Sequence, residues 1–389
     1  MRFHVVSLPH TQTTSKYLPC AYTQKVVKFC RMMKDTEHEI VLYGGEENEA
    51  PCDEFVTMVS KRQQRKWFGK EKPELMYPIR WDPTEDHWID TNRAVAKHIK
   101  RGIREGRYDK RDQVLILAGT CNKQIGFYVP NTLVEYGVGY TGVFTHAAYE
   151  SHSHRHNVYA LRGIGDGQAF DTVIPNYFDP DEFVLDKTPR REDHLLYVGR
   201  VIMRKGIHIA AQVAEASGRK LLVAGQGVLD FKNGEYIESE EIKLTSSAVE
   251  FIGTLGVKER AYEMARAHAL LAPTTYIEPF GGVTVEAGFA GTPAITTNWG
   301  AFTETIIEGV TGFRPDTLAE YVQAVEDASS LKREVIRKSV QSRYSLDAVR
   351  PQFEAWFAKL DTLWDEGWYT GYRHPDKADS PEPVLDSRS

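Results

Sequence analysis

The chain has 389 residues, 41% hydrophobic and 26% charged, with 48 Lys and Arg against 54 Asp and Glu for a formal net charge of −6. That length suits two ordinary domains with separate cores, and the composition excludes a disordered polymer. No apolar run reaches the roughly 20 residues a bilayer requires, and Met1 leads directly into an alternating strand, so a cytoplasmic protein is expected. Cys20, Cys30, Cys52 and Cys121 have neither C-x-x-C spacing nor the density of a disulfide scaffold, so reduced thiols are expected. Residues 1–175 carry 24 Lys and Arg against 21 Asp and Glu, a net of +3, which leaves −9 for the remainder. The acidic total disfavours broad nucleic-acid binding, while the mildly basic first half leaves room for peripheral contact with an anionic partner.

Residues 3–8 alternate as a strand, and a polar loop containing His10 and Thr11 precedes a helix from about residue 20 to 33 and a strand at 39–43. This is the βαβ start of a doubly wound parallel sheet, whose ligands sit at strand carboxyl ends. Residues 50–88 are polar and aromatic-rich. Their basic run, Lys61-Arg62-Gln63-Gln64-Arg65-Lys66, reads as a solvated helix face with Trp67 and Phe68 turned inward in preference to a segment that recognises an acceptor. Residues 91–106 read as a basic amphipathic helix and 113–118 as a buried strand. His152, His154 and His156 would share a face only on a strand, so a polar helix start is favoured over a metal site there.

In the second half, a strand at 195–198 runs into Gly199-Arg200, and Arg204-Lys205-Gly206 opens a helix over 207–217. A strand at 220–224 meets Gly225-Gln226-Gly227, a lone G-x-G with no dinucleotide fingerprint after it. Gly163-Ile164-Gly165-Asp166-Gly167 lacks the flanking strand and helix, so a nicotinamide site is unsupported. Residues 228–248 form a polar insertion, expected as a hairpin or surface loop, and 250–255 are a strand and turn. The tail at 346–372 places aromatics at helical spacing, and 373–389 are expected to fray.

The most informative stretch is Glu278-Pro279-Phe280-Gly281-Gly282-Val283-Thr284-Val285-Glu286. Its glycines permit a tight turn at 280–282, and a small-residue helix should follow over 283–290. The first amides of that helix and its positive dipole end suit phosphate or hydroxyl oxygens, and the two carboxylates can accept from vicinal hydroxyls on a sugar and a ribose. Cations at Arg200 and Lys205, beside a strand's carboxyl end, would stabilise charge that grows on a departing group.

Glu278 and Glu286, with seven residues between them, resemble the E-x7-E motif of retaining glycosyltransferases of family GT4. Ala272-Pro273 before it, and Gly291-Thr292-Pro293, Gly300, Glu304 and Gly312 after it, belong to the same pattern. The resemblance implies an α/β GT-B fold, two Rossmann-like doubly wound domains facing a central cleft. Residues 1–175 would be the acceptor-side domain, 176–345 the donor domain and 346–372 helices crossing back to the first domain; Asp171-Thr172-Val173-Ile174-Pro175-Asn176 resembles the segment that closes the first domain. It implies a nucleoside-diphosphate sugar as co-substrate, UDP-linked before GDP-linked. Arg200 and Lys205 would hold the diphosphate with Phe280, Gly281, Gly282 and Val283, Glu278 the sugar, Glu286 the ribose, and Thr254 and Leu255 would lie near the base. His146 is the match for a histidine facing the transferred sugar, and His10, Thr11 and Glu150 are acceptor-side candidates. The loop after the first strand departs from the pattern in lacking glycine. No metal or cofactor is implied. The acceptor would be a saccharide, a lipid-linked group or another hydroxyl compound, with nucleic acid left open; oligomeric state is not legible. The alternatives are a sugar-nucleotide epimerase or hydrolase, a DNA-base glycosyltransferase of viral type, and a silent nucleotide-binding module.

Overall fold

The computed structural model describes residues 1–18, 20–70, 79–139, 142, 146–185, 187–232, 235–238 and 243–364. The expected frayed tail and the end of the helical tail lie outside them.

The first lobe is a seven-stranded parallel sheet built from β1 (Arg2–Val6), β2 (Glu39–Gly44), β3 (Glu54–Thr57), β4 (Gln113–Ile116), β5 (Leu133–Val138), β6 (Ala147–Tyr149) and β7 (Thr172–Val173). Its order is β3-β2-β1-β4-β5-β6-β7, and β1 pairs on both edges, Phe3 lying between Ile40 and Gln113. Strand order therefore reverses between β1 and β4, the point where a doubly wound sheet opens a crevice at its carboxyl ends. The helices α1 (Ala21–Met33), α2 (Lys61–Phe68), α3 (Asp86–Arg104) and α4 (His152–Arg162) flank this sheet. α3 begins a turn earlier than its sequence periodicity suggests because Trp88 is fully buried and its indole donates to the Arg80 carbonyl at 2.9 Å. α2 carries a capping box, Ser60 and Gln63 satisfying each other's amides, and its Trp67 packs against the core.

The second lobe holds β8 (Leu195–Val198), β9 (Leu221–Ala224), β13 (Val249–Gly253), β14 (Ala269–Ala272), β15 (Ala294–Thr296) and β16 (Gly312–Phe313), ordered β13-β9-β8-β14-β15-β16, with its reversal between β8 and β14. The insertion after β9 is larger than a hairpin. β10 (Val228–Lys232), β11 (Glu235–Glu238) and β12 (Lys243–Thr245) form a separate three-stranded antiparallel sheet, Glu235 pairing with Thr245. The lobe's helices are α5 (Ile207–Ala216), α6 (Val257–Arg266), α7 (Gly282–Phe289), α8 (Phe302–Thr305), α9 (Leu318–Asp327) and α10 (Arg333–Tyr344).

The chain then returns. The Phe178 amide donates to the Tyr344 carbonyl at 2.8 Å and the Leu346 amide to the Phe178 carbonyl at 3.0 Å, and α11 (Leu346–Asp361) packs on α1. Phe353, Trp356, Phe357 and Leu360 join Phe3 and Phe29 in the first lobe's core. At about 1.5–3 kcal/mol for each large apolar side chain buried, this returning helix is a principal attachment between the lobes. Its polar edge is also satisfied: the Trp356 indole donates to the Phe170 carbonyl at 2.7 Å, and Gln113 to the Phe357 carbonyl at 3.1 Å. The result is two open sheets with their carboxyl ends turned to a common cleft, the arrangement of the GT-B fold.

Candidate functional site

The loop after β14 and the start of α7 form one wall of the cleft. Gly281 has φ +75°, and a Cβ there would sit 2.3 Å from the Phe302 ring, so the turn admits glycine alone. The helix opens at Gly282, where the first amides of a helix have no intrahelical acceptor, and Gly282 and Val283 line the cavity. Behind the turn, Phe280 stacks on Phe178 with centroids 6.2 Å apart, which holds the peptide rigid.

Glu278 is buried and accepts from Lys205 Nζ at 2.7 Å and from the Tyr276 hydroxyl at 2.8 Å. Burial, then the Glu278 carboxylate, push the Tyr276 phenol well above its ordinary range, so it stays a donor to Glu278. Lys205 and Arg204 stand 5.0 and 5.3 Å over the Tyr276 ring. These groups meet because Gly206, at φ +77°, lets the loop after β8 touch the one after β14; a Cβ there would lie 1.9 Å from the Pro273 carbonyl oxygen. Further along the wall, Glu286 forms a two-point ion pair with Arg260 of α6, both contacts at 3.0 Å.

These residues open onto a cavity of 530 Å³ between the lobes. The opposite wall carries an ion pair of Lys25 with Glu150, Lys25 also donating to the Gly137 carbonyl at 3.1 Å. The connecting segment supplies Asn176 and Tyr177. The cavity thus has cations and helix amides at one end, carboxylates along one side and a Lys–Glu pair facing them. Such a site can hold a charged diphosphate and a polyhydroxylated group at once.

Glu278, Phe280, Gly281, Gly282, Val283 and Glu286 line this cavity, Lys205 is bonded to Glu278, and Glu150 faces them. Arg200 is exposed on the loop after β8, and Thr254 and Leu255 follow the carboxyl end of β13; none of the three lines the cavity. His146 is a correction. It precedes β6, at the amino end of a strand whose carboxyl end faces the cleft, and it packs near Phe170 with ring centroids 6.0 Å apart. The residue at the cleft end of β6 is Glu150. The acceptor-side candidates His10 and Thr11 do not line this cavity: both are buried, Gln64 of α2 donates across them to the Pro9 and Thr11 carbonyls at 2.9 and 3.2 Å, and the His10 ring lies 6.4 Å from that of Trp81. Burial, with His87 adding to it, lowers the His10 imidazole to about 3. His152 and His156 lie one turn apart on α4, with His154 buried away from them.

Sequence reasoning passed over Arg204, Tyr276, Lys25 and Arg260. Arg204 and Tyr276 were adjacent to recognised positions, whereas Lys25 is 125 residues from Glu150 in the chain and had no local signal.

A clasp spans the cleft beside this site. The Glu304 carboxylate accepts from the His152 and Ser153 amides at 2.9 and 2.8 Å and from the Ser153 hydroxyl at 2.8 Å, capping α4 from the other lobe. The Ser151 hydroxyl donates to the Pro279 carbonyl at 2.7 Å, which ties the end of β6 to the Glu278 loop.

Comparison with solved structures gives the class first. Over 93% of its length the chain superposes on 98% of AviGT4, a glycosyltransferase involved in avilamycin A biosynthesis, with a TM-score of 0.63 at 20% identity. Over 92% it matches the whole of HepE from Anabaena, solved with UDP-glucose, at a TM-score of 0.57 and 13% identity. The fold is that of the GT-B glycosyltransferases. More particularly, residues 182–341 match the family described as glycosyl transferases group 1. Glycogen synthase of Mycobacterium tuberculosis is 35% identical over 156 residues, which are 38% of this chain and 37% of that protein, so the match spans well under half of this curated relative's length. No helix among the described residues is long and apolar enough to cross a membrane.

Proposed function

We propose that the chain transfers a sugar from a nucleoside-diphosphate donor to a hydroxyl acceptor, with retention of anomeric configuration and with side-chain cations in the role of a metal. The observation that carries this is the contact of Lys205 with Glu278 beside the open end of α7, in the one cavity that also holds Glu286 and Glu150. Lys205, Arg204 and the first amides of α7 receive the diphosphate, with Arg200 a further cation on the same loop. Glu278 takes the sugar hydroxyls and Glu286 the ribose. Cations fixed before reaction stabilise the charge that grows on the leaving phosphate more than they stabilise the bound donor.

The anomeric carbon–oxygen bond to phosphate breaks as the acceptor oxygen bonds to the same face of that carbon. The acceptor's proton passes to the departing phosphate oxygen, so no protein nucleophile is consumed. Glu150, poised by Lys25, orients the acceptor hydroxyl, the acceptor-side place that the sequence gives it. UDP-glucose is the first donor to test, since HepE has been solved with it.

The test is a thermal-shift screen of UDP-, GDP-, ADP- and TDP-sugars, followed by mass spectrometry of products with and without acceptor. A glycosylated acceptor of retained configuration supports the reading. Free sugar formed at the same rate with and without acceptor would make the chain a hydrolase, and stabilisation without donor consumption would make it a binding module.

A further inference from the structure

We propose that the acceptor subsite is a pocket of 360 Å³ beyond the carboxyl end of β4, lined by Tyr22, Trp81, Ala118, Thr120 and Cys121, and that it takes an uncharged saccharide whose pyranose face lies on the Trp81 indole. This deepens the transferase reading and rests on it.

Three observations lead there. The pocket stands at the β1/β4 reversal of strand order, where a doubly wound sheet binds ligands, as the donor cavity stands at the β8/β14 reversal. Tyr22 is a wall of both cavities, which sets the pocket beside the donor cavity that Lys25 and Glu150 also line. Trp81 remains 48% exposed although it is a large apolar side chain, and it is held in place: its ring lies 5.4 Å from Tyr22 and 5.6 Å from Trp88. The residue before it is pinned as well, the Arg80 carbonyl meeting the Trp88 indole at 2.9 Å and the His87 ring at 3.2 Å.

The chemistry of the lining selects the ligand class. A pyranose presents a ring of C–H groups on one face, which seats on the electron-rich face of an indole, and hydroxyls at its rim, which suit Thr120. Among the described residues the pocket's lining carries no cationic side chain, and burial holds the Cys121 thiol protonated, up at about 11. A phosphate entering here would lose its hydration with no compensating charge. Cations do gather on α3, where Arg93, Lys97, Lys100 and Arg104 line a groove of 590 Å³, but among the described residues that groove shares no lining residue with either cavity.

The experiment uses the full chain with methyl α-D-glucopyranoside and methyl β-D-galactopyranoside as neutral probes and glycerol 3-phosphate as the anionic one. Saturation-transfer NMR should show the pyranose C–H protons of at least one glycoside in contact with the wild type, lose that contact in Trp81→Ala and recover it in Trp81→Phe. Thr120→Trp, which plugs the pocket, should abolish it. In turnover, Trp81→Ala should raise the KM for the glycoside about tenfold, the scale of one aromatic contact, with the donor KM and UDP affinity unchanged. Contact that survives in Trp81→Ala and Thr120→Trp, absence of contact with either glycoside, or preference for glycerol 3-phosphate would each overturn the assignment. Failure of the transferase reading is separately visible as a wild type that neither binds UDP nor consumes a donor.

Discussion

Replacing Lys205 by methionine removes the cation that meets Glu278 while keeping the length of the side chain. Lys205 Nζ lies 2.7 Å from Glu278 Oε2 and 5.0 Å over the Tyr276 ring, so a diphosphate seated at the adjacent end of α7 would come within one ion-pair distance of it. Two unit charges about 4 Å apart at an effective dielectric of about 20 interact by about 4 kcal/mol. If most of that is realised only as the leaving group gains charge, kcat/KM falls about a thousandfold. Stability should barely change, because the lysine is partly exposed, Glu278 keeps its bond from Tyr276, and pairs of this kind contribute roughly 1 kcal/mol or less. Steady-state kinetics with a UDP-sugar, alongside urea unfolding, separate the two effects. Lys205→Arg, which keeps the charge, should recover part of the rate. A Lys205→Met enzyme within tenfold of the wild type would refute the leaving-group role, as would a loss of rate matched by a loss of fold.

Glu304→Ala deletes a carboxylate that takes three hydrogen bonds from the other lobe; each charge-assisted bond of this type contributes about 1.5–3 kcal/mol, so the lobes should part. Small-angle scattering should report a larger radius of gyration, with the donor KM up about tenfold, and unchanged scattering and KM would contradict the clasp. Gly206→Ala places a methyl 1.9 Å from the Pro273 carbonyl oxygen at φ +77°. Calorimetric titration with UDP should show at least a tenfold loss of affinity. Gly218→Ala, also at positive φ but with open space around it, should lose only about 1–2 kcal/mol of stability and no affinity. The His10 imidazole, lowered to about 3 when folded against an ordinary value near 6.5, contributes stability that is complete above pH 6.5 and is lost as the pH falls towards 3. From pH 6.5 to 5 the wild type should therefore lose about 2 kcal/mol more unfolding free energy than His10→Asn; parallel urea curves for the two would sink this account.

Local chemistry made the cavity wall that carries Glu278 and Glu286 readable from the chain alone. Glu278, the Gly281 turn and Glu286 fall within nine consecutive residues, and a tight turn, a helix start and two carboxylates at fixed spacing have the same meaning wherever they fold. The βαβ alternation and the aromatic spacing of the last helix were legible for the same reason, since periodicity is a property of the neighbouring residues. Which end of a strand a residue occupies is not such a property. His146 and Glu150 lie four residues apart, yet β6 runs between them and turns Glu150 to the cleft and His146 away from it. The pairing of Lys25 with Glu150, the burial of His10 and Thr11 beneath Gln64, and the capping of α4 by Glu304 join residues 125, about 50 and about 150 positions apart. Contacts of that range exist only once both sheets have closed and α11 has drawn the lobes together, because loop closure leaves no trace in local composition. The amino-acid order by itself determined the chemistry carried on each short segment; the tertiary structure decided which segments face one another, and so which of those chemistries act together.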